Sequence, residues 1–175
     1  MKKDIMLNMF SNTGLRFLWL AALTVVLDQW SKYAIVASMD VYQSIQYTSF
    51  FNLTHTRNYG AAFSFLSDAS GWQRWFFTGI AVAVSVIILR WLKASPKSQI
   101  LLPVAFSLIL GGAIGNVYDR VAYGYVIDFL HVYYQQYDWP VFNLADSAIC
   151  LGATLLIVDM FKNKQDKGED NESTN

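Results

Sequence analysis

Charge is what this chain has least of. Only 15% of its 175 residues are Asp, Glu, Lys or Arg, against roughly 25% in an average soluble domain. That deficit points to a bilayer before any segment is inspected. Net charge is zero, so there is no basic surface for nucleic acid, and none is expected as a partner. A single cysteine, Cys150, excludes an internal disulfide and leaves the redox compartment unread. Histidine is almost as scarce, with only His55 and His131. His131 lies three residues after Asp128, but no HExxH motif or Cys/His cluster accompanies it, so neither a metal nor a cofactor is expected.

What the chain has instead is apolar and aromatic. Hydrophobic residues make up 54% of it, with six Trp, ten Tyr and twelve Phe, a supply that suits two interfacial belts. Four stretches approach the ~20 apolar residues a spanning helix needs: residues 15–37, 72–92, 100–117 and 141–161. The third is uncharged; the first and fourth are interrupted by Asp28 and Asp146. Four buried helices of a soluble core are the competing reading, but so many apolar stretches in so short a chain leave few polar faces. The first stretch follows Lys2 and Lys3 as a signal peptide would. No good small-residue cleavage site follows it, so it is read as retained. The expected fold is an all-α membrane protein with four transmembrane helices, a small periplasmic β-rich segment and a short interfacial helix. Residues 1–162 form one domain, and 163–175 a disordered cytoplasmic tail.

Lys and Arg placement gives the orientation. Nine of the thirteen basic residues lie in the N-terminal segment, the link between the second and third stretches, and the C-terminal tail. Both termini are therefore expected in the cytoplasm. The connections 38–71 and 118–140 then face outward. Residues 42–53 are rich in aromatic and β-favouring side chains and predict a small sheet, a lid or a cradle. The run 126–134 predicts the interfacial helix.

Polar groups gather at the outward ends. Asp28 and Lys32 stand there, with Asn116, Asp119, Arg120, Asp128, Asn143 and Asp146. A carboxylate within a bilayer costs roughly 2.5 kcal/mol or more, so each is a functional candidate. Asp146, with Asn143 three residues before it, is the sharpest; pairing with Arg120 or Lys32 is its plain structural alternative. Asp128 is either an exposed carboxylate on an amphipathic helix or one member of a coupled pair. Beside Asp146 it would share a proton, one carboxyl activating water and the other protonating a carbonyl oxygen. Asp28 and Lys32, four residues apart, read first as an intrahelical pair. Gly111, Gly112 and Gly115 read as helix packing, and Gly60-Ala61-Ala62 as a tight turn. Cys150 reads as a core thiol, and Asp159 beside Lys162 as an interfacial carboxylate.

Taken in order, five pieces resemble the lipoprotein signal peptidases, or type II signal peptidases: Asp28-Gln29 with Ser31-Lys32; Arg57-Asn58 followed by Gly60-Ala61-Ala62-Phe63; GGAIGNVYDR at 111–120; Val126-Ile127-Asp128-Phe129; and FNLADS at 142–147. The resemblance covers about residues 15–162. Tyr59 stands where Thr is usual and Ile127 where Val is usual. The resemblance implies an aspartic endopeptidase of the bacterial inner membrane, with its site at the periplasmic side and Asp128 and Asp146 as the dyad. It places Asn58, Gly112, Asn116, Arg120 and Asn143 around them, and Asp28 and Lys32 as a polar pair shaping the site. It further implies a diacylglyceryl-prolipoprotein substrate cut just before the lipidated cysteine and inhibition by globomycin; contact with membrane lipid and action as a monomer are expected beside it. Two other classes remain open on the residues alone. One is an ion-coupled transporter subunit, since intramembrane carboxylates and glycine-rich helices occur there too. The other is a scaffold that binds a partner's helix.

Overall fold

A computed structural model describes residues 10–60 and 71–172, with side chains as far as Lys162. Ala61, Ala62 and Phe63 of the tight-turn motif lie outside the described residues, as do Lys2 and Lys3. Gly60 is described and has φ +98°, a conformation that favours glycine.

The Thr13 side chain caps a short 3-10 turn, Gly14–Phe17, by accepting from Leu15 N–H. Helix α1, Leu18–Ser38, follows directly. Strands β1, Ser44–Gln46, and β2, Phe51–Asn58, come next. Helices α2, Trp72–Ala94, and α3, Leu101–Ala122, form a second pair. Strand β3 spans Val126–Tyr134, β4 Tyr137–Asp138, and helix α4 Leu144–Glu172. The backbone of α4 thus stays helical past residue 162.

Among the described residues three helices are long and apolar enough to cross a membrane: α2, α3 and the Leu144–Lys162 part of α4. The first helix has 21 residues, about 31 Å at 1.5 Å per residue, but Asp28 and Lys32 lower its hydropathy. Helix α3 is central and packs against each of the others. In its apolar window 56% of residues are buried, against 11% in α2 and α4. The outer helices therefore present Val82, Val86, Leu151 and Ile157 outward, the surface that lipid would cover.

One end of the bundle is closed by a core of Leu15, Ile88, Leu92, Phe106 and Leu110. Close backbone approach draws the helices together further along. At Gly111 an added Cβ would stand 2.7 Å from Ala21 O, and at Gly112 it would run into Ala145 O. Glycine here is a packing requirement set by α1 on one side and α4 on the other.

At the opposite end the two long connections meet in one antiparallel sheet of order β1-β2-β3-β4. Register pairs Ser44 with Thr54, Thr56 with Asp128, and Asn58 with Val126, with an irregularity between Leu53 and Thr56. The run 126–134 is therefore a strand, not the short interfacial helix that its apolar character predicts. Val126, Ile127, Val132 and the aromatics at 129, 133 and 134 are β-favouring residues, and β2 supplies a partner that local pattern cannot reveal. Ile35 and Met39 of α1 pack under the sheet against Phe129. Phe142 exchanges backbone hydrogen bonds with Leu130 (2.8 and 3.0 Å), which ties the entry to α4 onto β3.

Candidate active site

The site is built where β3 meets the start of α4. Asn143 caps that helix: its Oδ1 accepts from Asp146 N–H (2.9 Å), while Asp146 Oδ2 accepts from Asn143 N–H (3.3 Å). This reciprocal pair is a capping box, which fixes a side chain three residues into a helix. The second Asp146 oxygen, Oδ1, accepts from Asn116 Nδ2 of α3 at 2.7 Å. Asp128 is held in the same way from two directions. Its Oδ1 accepts from Asn143 Nδ2 (2.7 Å) and its Oδ2 from Asn58 Nδ2 (3.0 Å). Thr56 faces Asp128 across the ladder, and Asn58, two residues on, shares that face of β2.

Thus two carboxyl groups, 18 residues apart in sequence, are bridged by the single side chain and backbone of Asn143. Asp128 is 2% exposed, whereas Asp146 is only partly buried, so Asp146 is the more open of the two. Burial, and then the nearby charge of Asp146, push the Asp128 carboxyl up to about 7; the Asn58 and Asn143 hydrogen bonds oppose this. Among the described residues no ion pair reaches Asp146, so the alternative of a carboxylate paired with Arg120 or Lys32 is not what the fold builds. Arg120 Nη1 donates to Asn116 O (3.2 Å), and its guanidinium lies 5.7 Å from the Phe77 ring centre. It remains within electrostatic reach of Asp146, Asp128 and Asp119.

Asp28 and Lys32 do pair, at 2.8 Å, but not as an isolated helix-surface couple. Both are wholly buried. Lys32 Nζ also reaches Asp119 Oδ2 at 2.8 Å and Asn116 Oδ1 at 3.1 Å, which uses all three ammonium donors. Gly112 lies against Ala145 and lets the first turn of α4 approach α3. Two residues of the quoted motifs make contacts that the sequence does not reveal. Gln29 Nε2 donates to Asp28, Asp119 and the Gly115 carbonyl. Asp119 accepts from the backbone of Ile127. The sequence marks both, Gln29 beside Asp28 and Asp119 within GGAIGNVYDR at the outward helix ends, but gives neither a partner.

His131 stands apart from this cluster. Residues three apart on a strand point to opposite faces, and its ring pairs with Asp138 at 3.2 Å. Cys150 is exposed on the outside of α4, not a core thiol.

A bundle with an apolar exterior, carrying buried carboxylates and amides at one end, defines a membrane-embedded enzyme. The family model described as signal peptidase (SPase) II matches residues 20–162. A lipoprotein signal peptidase of Alteromonas mediterranea is 66% identical over 95% of this chain and 91% of its own length. One of Pseudoalteromonas atlantica is 65% identical over 94% of this chain and all of its own. A bacterial membrane enzyme solved at 2.3 Å by the in meso method superposes with a TM-score of 0.76 at 33% identity, covering 87% of this chain and 91% of that one. The chain belongs to the signal peptidase II family and is a peptidase.

Proposed function

We propose that this protein is an aspartic endopeptidase that removes the signal peptide from diacylglyceryl-modified prolipoproteins, cutting just before the lipidated cysteine. The observation that carries the reading is the joint hold of Asn143 on Asp128 and Asp146. In the resting pair Asp128 keeps the proton and Asp146 is the base. Asp146 takes a proton from water as the water oxygen bonds to the scissile carbonyl carbon, and Asp128 gives its proton to the carbonyl oxygen. Collapse of the tetrahedral intermediate breaks the C–N bond. The proton on Asp146 goes to the leaving cysteine amine, and Asp128 recovers its own.

Location supports the same reading. All four helices span the bilayer in this proposal, α1 included, because Asp28 and Lys32 satisfy each other inside the bundle instead of facing lipid. Both termini are cytoplasmic, and the sheet lies at the periplasmic face of the inner membrane. Exposed Trp30, Tyr33, Trp72, Trp75 and Tyr118 stand at the sheet end, and Trp19 and Trp91 at the other, as two interfacial belts would require. A substrate whose acyl chains stay in the membrane holds its scissile bond at that depth. Asn58, Asn116, Arg120 and Asn143 surround the bond, and the enzyme acts as a monomer.

The test is cleavage of a diacylglyceryl lipobox peptide by purified protein in detergent. Cleavage should survive EDTA, stop with globomycin, and vanish in Asp128→Asn and in Asp146→Asn. Undiminished turnover by either variant overturns the dyad.

A further inference from the structure

The buried groups behind the dyad form a symmetrical arrangement that the proposed chemistry does not use. Asp28 Oδ1 accepts the backbone N–H of Ala145 at 2.9 Å. Ala145 is the residue immediately before Asp146. Asp119 Oδ2 accepts the backbone N–H of Ile127 at 3.1 Å, and Ile127 is the residue immediately before Asp128. Each candidate dyad residue is therefore preceded by a peptide group anchored on a second, hidden carboxylate. The two anchors are joined: Lys32 Nζ sits 2.8 Å from Asp28 Oδ2 and 2.8 Å from Asp119 Oδ2. Gln29 Nε2 spans the same two carboxylates at 3.1 and 2.9 Å.

We propose that Lys32 is a positioning residue which, by cross-linking Asp28 to Asp119, sets the spacing between the peptide anchors of Ala145 and Ile127 and so the spacing of Asp146 and Asp128. The inference rests on the dyad reading above. Its third donor serves the same end. Asn116 Oδ1 accepts from Lys32 Nζ and from Asn143 Nδ2 (both 3.1 Å), which turns the Asn116 amide so that its NH2 faces Asp146. Asp28, Lys32 and Asp119 are each at most 1% exposed, so none of them touches substrate. A water-activating pair works only if its two oxygens sit at the right separation from one water and one carbonyl, and a misplacement near 1 Å costs about 100-fold in rate.

Lys32→Met alone leaves two buried carboxylates uncompensated and can unfold the protein for that reason. The deciding variant is Asp28→Asn/Lys32→Met/Asp119→Asn, which keeps an amide oxygen at each anchor and the neutral Gln29 bridge but removes the Lys32 cross-link and every charge in it. Exchange of a buried ion triad for neutral groups is often tolerated or stabilising, so this variant is expected to keep its Tm. On a diacylglyceryl lipobox peptide its kcat should fall about 100-fold while KM stays within about twofold of wild type. A folded triple variant with wild-type kcat overturns the proposal. So does a triple variant that no longer folds, because the triad then serves the fold and not the spacing. Failure of the wild-type protein to cleave the peptide is a separate result: it removes the functional reading itself, and this inference with it.

Discussion

Asn143 Nδ2 stands 2.7 Å from Asp128 Oδ1, while the Oδ1 of the same side chain accepts the backbone N–H of Asp146 at 2.9 Å. One amide thus orients both carboxyl groups, and neither of its ends can be spared. Asn143→Ala removes a helix cap, costing about 1 kcal/mol, and frees both aspartates. Thermal unfolding should show only a modest fall in Tm, whereas kcat for lipopeptide cleavage should drop by about 100-fold. Equal, small losses in both would refute the shared-orientation argument.

The Asp128 carboxyl is raised to about 7, first by burial and then by the charge of Asp146. In the unfolded chain it titrates near 3.9, so between those values the native state holds a proton that the unfolded state has released. The resulting stability is fully present below about pH 4 and is lost as pH rises through 7. Asp128→Asn should flatten the dependence of Tm on pH over that window. Activity should follow the same proton, with kcat falling above about pH 7.

Asn58 opposes that rise through its 3.0 Å hydrogen bond to Asp128 Oδ2. Asn58→Leu should move the alkaline limb of the kcat profile to higher pH, since the charged form loses a donor. An unmoved or lowered limb would count against the contact.

Glycine positions give a contrast within one fold. At Gly112 an added methyl meets the Ala145 carbonyl, whereas at Gly79 it meets nothing within 4 Å. Gly112→Ala should lower stability by about 1–3 kcal/mol and displace the first turn of α4 with Asp146 on it, reducing kcat as well. Gly79→Ala should be neutral or stabilising by up to about 1 kcal/mol. Thermal melts in detergent, read beside turnover, separate the two.

The helices were legible because a bilayer-length apolar run is a local property. The run 100–117 announces a helix by itself, although α3 continues to Ala122 because Asp119 and Arg120, which end the apolar run, turn inward and extend the helix into the site. The geometry of the site was legible only in part. Asn143 and Asp146 at capping-box spacing could be read directly. The strand character of 126–134 could not, because its partner lies some 70 residues earlier. The role of Asp119 was hidden for a related reason: its value lies in holding the backbone of Ile127 on a different element, and a contact set by the tertiary fold has no fixed spacing to read. Nor does an apolar helix such as α4 reveal which of its faces Cys150 occupies.

The sheet has a consequence for biogenesis. Asn58 and Asp128 are 70 residues apart, on strands separated by two complete helices. At synthesis rates of ~5–20 residues per second, β2 waits several seconds before β3 emerges to pair with it. Asp146 arrives later still, on the final helix. With Asp128 and Asp146 as the proposed dyad, a nascent chain carries no working centre until nearly all of it has left the ribosome. On that reading, truncation anywhere before α4 should yield an inert membrane fragment, not a weakened enzyme.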